Sequence, residues 1–176
     1  YGVKRAVEMA NEAANSDGKS YTLGPIIHNP QVVGRLEDKG VSPVQEVSDI
    51  EEGTMIIRSH GVGPAIYEEA EEKGLNIVDA TCPHVKKAQQ DAKSVIEDGM
   101  TLVILGEKNH PEVKSINLWA NNEGIIIEDE ESAEKLQIVE KMGVDMVLNP
   151  FDISASNILR YIQGSKRVLS SFLIQG

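Results

Sequence analysis

Apolar residues at Val3, Ala6, Val7, Ala10, Ala13 and Ala14 recur at helical spacing, and the polar cluster Asn15, Ser16, Asp17, Gly18 closes the stretch. The spacing predicts a helix there. A short β-prone run at 21–23 leads through Gly24, Pro25 and paired isoleucines to His28, where Asn29 and Pro30 suit the cap and first turn of a second helix. That helix is expected over 30–39, with Gly40 as its stop. The cycle then repeats. A strand over 55–57 turns through Ser59, His60 and Gly61 into a helix over 64–73, closed by Gly74. Another strand over 76–78 turns through Asp79, Ala80, Thr81, Cys82 and Pro83 into a helix over 84–97, closed by Gly99, and a strand over 102–105 follows. Short connections between alternating strands and helices predict an α/β fold built of three-layer units, each a parallel sheet covered by helices on both faces.

Beyond Gly106 the pattern changes character. Strands are expected over 125–127, 144–148 and 168–174, an acidic turn over 128–131, and helices over 132–142 and 153–162. The reading divides the chain into a first α/β domain over 1–83 carrying Cys82, a second partial α/β domain over 84–136 carrying His110 and Glu112, and a divergent α/β tail over 137–176.

Composition narrows the classes of function. The 176 residues hold 17 Lys and Arg against 28 Asp and Glu, a net charge of −11. Nucleic-acid binding is disfavoured, because phosphate neutralisation needs clustered basic side chains. The longest apolar runs, at 102–105 and 125–127, fall far short of the roughly 20 residues that cross a bilayer. Tyr1 opens directly into amphipathic sequence, without the basic start and apolar stretch of a secretion signal. A single cysteine, Cys82, cannot form an internal disulfide, which points to a reducing cytoplasm and leaves a thiol for metal or redox chemistry.

Of the four histidines, His28, His60 and His110 fall where strands are expected to turn over. In open α/β sheets the carboxyl ends of the strands lie on one side and ligands bind in the crevice there. Converging imidazoles at that edge would suit a phosphate or diphosphate even in an acidic chain, helped by N–H donors at the helix starts after His28 and Cys82. A histidine that merely caps a turn is the plain alternative for each taken singly. Three imidazoles would also suit zinc, but neither a His-x-His nor a His-Glu-x-x-His pair occurs. His84 lies inside an expected helix and reads as surface or structural. Glu112, two residues after His110, would let a carboxyl and an imidazole share a polar pocket and pass a proton; an exposed glutamate is the alternative. Cys82, at the mouth of a helix, suits a sulfur that ligates iron or acts as a nucleophile, although a buried free cysteine is the commoner case.

Five ordered motifs carry a resemblance: Gly2-Val3-Lys4-Arg5-Ala6; the run from Tyr21 to Gln31 around Ile27-His28-Asn29-Pro30; Ile57-Arg58-Ser59-His60-Gly61-Val62; Val78-Asp79-Ala80-Thr81-Cys82-Pro83; and the run from Gly106 to Val113 around Asn109-His110-Pro111-Glu112. Over residues 1–136 the chain closely resembles the 4-hydroxy-3-methylbut-2-enyl diphosphate reductase (IspH/LytB) family. The resemblance implies reductive removal of a hydroxyl from an allylic diphosphate, giving isopentenyl and dimethylallyl diphosphates in the non-mevalonate isoprenoid pathway. It implies a 4Fe–4S cluster held by three cysteines, with Cys82 as the middle ligand, and an electron donor of ferredoxin or flavodoxin type. By the same resemblance His28, His60 and His110 hold the diphosphate, and His110 and Glu112 belong to the proton-delivery network.

The family pattern also implies what this chain does not contain. Its first cysteine would fall immediately before Tyr1, and its third cysteine, with later threonine and Ser-x-Asn motifs, would belong to a third domain. The stretches 142–150 and 158–162 instead resemble nucleotide-binding regulatory subunits of potassium uptake systems. A second expectation therefore stands beside the reductase: a non-catalytic module binding a nucleotide or another phosphate ligand. No Gly-x-Gly-x-x-Gly turn is present to support a dinucleotide site.

Overall fold

The structure is a computed structural model that describes residues 2–15, 18–27 and 29–128, together with the backbone of 146–148. The chain divides into two compact units, Tyr1–Pro83 and His84–Gly176.

In the first unit, helix α1 (Gly2–Ala14) precedes strand β1 (Ser20–Leu23), helix α2 (Pro30–Glu37), strand β2 (Val41–Val44), strand β3 (Thr54–Ile57), helix α3 (Pro64–Glu72) and strand β4 (Asn76–Asp79). The strands form one parallel sheet in the order β2-β1-β3-β4. Alternation along β3 shows how the layers arise. Ile56 packs with Ala6, Ala10, Ala13, Leu36 and Val41 under α1 and α2. Met55 and Ile57 point the other way, into a cluster with Val47, Ile50, Ala70 and Leu75 that includes the inner side of α3. Strands buried on both faces lose the polar alternation of a half-exposed strand and read as continuous apolar runs. The buried side of α1 is made of alanines, so its backbone can lie close to the sheet.

Strand β2 was not anticipated, because Ser42 and Pro43 break any β-like run. Its position resolves the difficulty. β2 is the edge strand, pairing only with β1, with Thr22 opposite Pro43, so a residue without an N–H is tolerated there. From β1 the chain moves outward to β2 on one side; from β3 it moves outward to β4 on the other. The direction reverses between β1 and β3, and such reversals open a crevice at the carboxyl ends of the two strands.

The second unit holds helix α4 (Pro83–Glu97, its first residue the last of the first unit), strand β5 (Leu102–Leu105), helix α5 (Pro111–Trp119), strand β6 (Ile125–Ile127) and strand β7 (Met146–Leu148). Its strands are parallel in the order β6-β5-β7, and all residues of the central β5 are buried. Helix α4 ends in a turn in which Gly99, at φ +71°, lets the Met100 N–H reach the Val95 carbonyl at 2.9 Å. Helix α5 was not anticipated either. Its inward side carries polar residues as well as apolar ones: Ser115 is buried beside Val113 and Ile116, and Asn117 accepts a hydrogen bond from the Gly124 N–H at 3.0 Å. The apolar period is thin for that reason. Of the strand expected over 144–148, residues 146–148 are described; the helices expected over 132–142 and 153–162 and the strand expected over 168–174 lie outside the described residues. Among the described residues no helix is long and apolar enough to cross a membrane.

Candidate functional site

The first unit brings the motif turns to the reversal between β1 and β3. After β1, Gly24 donates to the Val44 carbonyl at 2.7 Å and adopts φ +73°. A side chain there would be strained, and its Cβ would fall 3.1 Å from the Arg58 Nη1. Asn29 caps α2 as expected, its side chain accepting from the Gln31 and Val32 N–H groups, with Pro30 in the first turn. His28, between these features in sequence, lies outside the described residues.

After β3, the turn Arg58-Ser59-His60-Gly61 is closed by the Gly61 N–H donating to the Arg58 carbonyl at 3.0 Å. Ser59 is buried and His60 half-buried. The Arg58 Nε is buried and has no acceptor among the described residues.

The turn after β4 carries Cys82. The Ala80 N–H donates to the Ile57 carbonyl and the Cys82 N–H to the Ser59 carbonyl, at 3.0 and 2.9 Å, so this turn is fastened directly to the one that bears His60. The Asp79 carboxylate accepts from the Thr81 N–H at 3.0 Å through Oδ1 and from the Tyr67 hydroxyl at 3.1 Å through Oδ2. Burial, and then the negative charge of Asp79, push the Tyr67 phenol up to about 12. Arg5 donates from Nη1 to the Thr81 carbonyl at 3.1 Å. Gly2, the first residue of α1, faces the cysteine so closely that a Cβ there would lie 3.2 Å from the Cys82 Cβ and 3.3 Å from Sγ. The half-buried thiol thus sits where α1 and α4 both begin.

The second unit holds His110 and Glu112 at the start of α5. His110 is the N-cap residue, and its Nδ1 accepts from the Glu112 N–H at 3.2 Å. Burial lowers the imidazole pKa below its ordinary 6.5, with the nearby Glu107 charge acting in the opposite sense. A neutral imidazole whose Nδ1 accepts must carry its proton on Nε2, so His110 is set as a donor through Nε2. Burial also raises the Glu112 carboxyl above its ordinary 4.5, which keeps its proton to higher pH. Glu112 is thereby suited to give up a proton, and His110 to bind an anion without carrying a charge of its own. The turn of α5 that holds Glu112 is anchored from behind: Ser115 donates to the Glu112 carbonyl at 2.9 Å and accepts from the buried Gln89 amide of α4 at 3.3 Å. His84, by contrast, is exposed on α4.

Cys82 and His60 therefore share one built turn system, and His110 and Glu112 share another. Three residues of the first system were missed in the sequence. Arg5 and Arg58 lie inside two of the motifs without a role of their own, and Asp79 figures there only as part of a turn. A signal for Asp79 was available, since an aspartate two residues before a free N–H is the pattern of a side-chain turn.

The donor set for a metal is incomplete. Among the described residues no group of three or more His, Cys, Asp or Glu is placed to hold an ion, and the described residues supply one thiol where an iron–sulfur cluster normally rests on three or four.

Fold and site together define an α/β protein in which a single cysteine, His60 and His110 are presented on the turns that follow parallel strands. Comparison with known proteins sharpens that class: residues 1–156 match the LytB protein family, and the chain belongs to it. The match runs past residue 136, where the motif resemblance was expected to end. The chain is 49% identical over 144 residues to the 4-hydroxy-3-methylbut-2-enyl diphosphate reductase of Geotalea uraniireducens and 48% identical over 144 residues to that of Geobacter metallireducens. Each alignment covers 82% of this chain and 51% of the relative, so the chain spans about half the length of the curated relatives it matches. The solved structure of (E)-4-hydroxy-3-methyl-but-2-enyl diphosphate reductase, described as the terminal enzyme of the non-mevalonate pathway, superposes with a TM-score of 0.81 at 36% identity, covering 99% of this chain and 63% of that one. The E-1-hydroxy-2-methyl-but-2-enyl-4-diphosphate reductase from Plasmodium falciparum gives a TM-score of 0.84 at 25% identity, covering 97% of this chain and 55% of that one.

Proposed function

We propose that this chain supplies part of the substrate and metal site of a cytoplasmic 4-hydroxy-3-methylbut-2-enyl diphosphate reductase. The observation that carries the reading is the turn that holds Cys82: its backbone is bonded to the His60 turn and its sulfur lies against the start of α1, in a chain that belongs to the LytB family. The reaction breaks the carbon–oxygen bond of an allylic alcohol, consumes two electrons and two protons, and releases the oxygen as water. A 4Fe–4S cluster, reduced by a ferredoxin- or flavodoxin-type donor, would supply the electrons, and Cys82 would be one of its three ligands. Among the described residues Cys82 is the one thiol for it.

The chain's own side chains have distinct tasks. His28, His60 and His110 take the diphosphate oxygens as hydrogen-bond donors. A neutral His110 donating through Nε2 does this at no cost of burying a second charge. Glu112, whose raised pKa keeps its carboxyl protonated further toward neutral pH, supplies a proton. The buried Arg58 Nε adds positive charge beneath the His60 turn.

Two measurements test the reading. Calorimetric titration of the chain should show binding of the allylic diphosphate, weakened about tenfold or more by His60→Ala, the loss of one hydrogen bond to a charged group. Tighter binding of a nucleotide, indifferent to His60, would replace the reductase with a phosphate-binding regulatory module. Anaerobic reconstitution with iron and sulfide should give a chain with little cluster and little turnover; a stable cluster with full turnover would refute the ligand assignment.

A further inference from the structure

Thr81, the residue immediately before the cysteine, is held at both its backbone N–H and its carbonyl by side chains that have no part in the chemistry assigned above. The Thr81 N–H is held by Asp79 Oδ1 and the Thr81 carbonyl by Arg5 Nη1, at 3.0 and 3.1 Å. Next along the chain, the Cys82 N–H is held by the Ser59 carbonyl at 2.9 Å. Tyr67, reaching over from α3, donates to the other oxygen of Asp79 and so fixes the plane of that carboxylate. Arg5 stands on α1, whose first residue, Gly2, abuts the sulfur. A turn between a strand and a helix would ordinarily satisfy such groups with water; here they are met by side chains from α1 and from β4 itself.

We infer that Asp79 and Arg5 are positioning residues that fix the Cys82 sulfur for ligation, with Tyr67 bracing Asp79 and Gly2 leaving room for the sulfur. The inference rests on the reading of Cys82 as a metal ligand. It explains why an arginine and an aspartate, at opposite ends of the first unit's sequence, both converge on the backbone of one residue, Thr81. Arg5 couples α1 to the cysteine turn, and Ser59 couples that turn to the one carrying His60. A sulfur and an imidazole that belong to different loops are therefore tied to each other through the backbone of their two turns.

The test is the rate at which Cys82 of the folded, metal-free chain reacts with iodoacetamide, read by mass spectrometry at constant pH beside a melting curve for each variant. Arg5→Met keeps the apolar stem and removes the donor; Asp79→Ala removes the acceptor. Each should speed alkylation at least fivefold as the turn loosens, while Asp79→Asn, which keeps an acceptor oxygen for the Thr81 N–H, should return the rate to within twofold of the parent. Gly2→Ala should act in the opposite direction, slowing alkylation by threefold or more by placing a methyl group against Sγ. If Asp79→Ala fails to fold, Arg5→Met decides alone. Alkylation within twofold of the parent in Arg5→Met, or an Asp79→Asn rate as fast as that of a folded Asp79→Ala, overturns the inference. The reading beneath it fails separately, if titration with cobalt(II) gives the parent no thiolate-to-metal charge-transfer band that Cys82→Ser lacks.

Discussion

His110 performs two tasks through two nitrogens, and substitution can separate them. Its Nδ1 caps α5 by accepting from the Glu112 N–H at 3.2 Å, while on the function proposed above Nε2 donates to the diphosphate. In His110→Ala both are lost. A side-chain N-cap is worth about 1 kcal/mol, which for a chain of this size lowers the melting temperature by about 3 °C. Asparagine is among the strongest N-cap residues, so His110→Asn should restore the cap and melt within about 1 °C of the parent. It lacks the imidazole Nε2–H, however. A hydrogen bond to a charged group contributes about 1.5–3 kcal/mol, so both variants should bind the allylic diphosphate roughly 10- to 100-fold more weakly. Circular dichroism melts and calorimetric titration read the two effects independently. If His110→Asn melts as low as His110→Ala, the side-chain cap is wrong. If it binds diphosphate as well as the parent, the ligand contact is wrong.

Titration followed by NMR should place the His110 ring below pH 6.5 and the Glu112 carboxyl above pH 4.5, both displaced by burial toward the neutral form. The stability consequences have opposite signs: the part due to His110 is complete above 6.5 and falls as pH drops through its lowered value, whereas the part due to Glu112 is complete below 4.5 and falls as pH rises through its raised value. A His110 ring that titrates at or above 6.5 would remove the argument for a neutral donor. Gly24→Ala, forced into φ +73° against Arg58, should cost about 1–2 kcal/mol in urea denaturation; a loss under about 0.5 kcal/mol would mean that the turn relaxes freely. Ile56→Ala, in the cluster beneath α1 and α2, should cost about 2–5 kcal/mol by the same measurement, and a smaller loss would show that this face of the sheet is loosely packed.

How much of this was legible in the chain depends on which face of each element the sequence advertises. Helix α1 was readable because its alanines at 6, 10 and 13 are buried while Lys4, Glu8 and Glu12 face water. The glycine stops of α2, α3 and α4 were readable because only glycine enters their left-handed turns without strain. Strand β2 was hidden by Pro43, whose tolerance depends on edge position, and edge position is a property of the assembled sheet. Helix α5 was hidden because Ser115 and Asn117, polar in the sequence, are used inward as hydrogen-bonding partners. Period-based reading assumes that inward means apolar, and it fails wherever a buried polar group has been satisfied.

The same limit governs the site. Cysteine and histidine announce themselves because few residue types can ligate iron or donate a proton near neutrality. Asp79, Arg5 and Ser59 act through a backbone that every sequence possesses: one carboxylate on an N–H, one guanidinium on a carbonyl, one carbonyl on an N–H. Nothing in a residue's identity says which peptide it will hold, and in a chain with 28 acidic residues any one of them reads as solvated surface. Burial then adds what neither identity nor spacing carries. It shifts the His110 imidazole toward its neutral form and the Glu112 carboxyl toward its protonated form, although the two are separated by a single proline. The motif names the candidate groups, but the direction in which each pKa is displaced follows from the helix that begins between them, because its first turn takes up the Nδ1 lone pair and draws both side chains partly out of water.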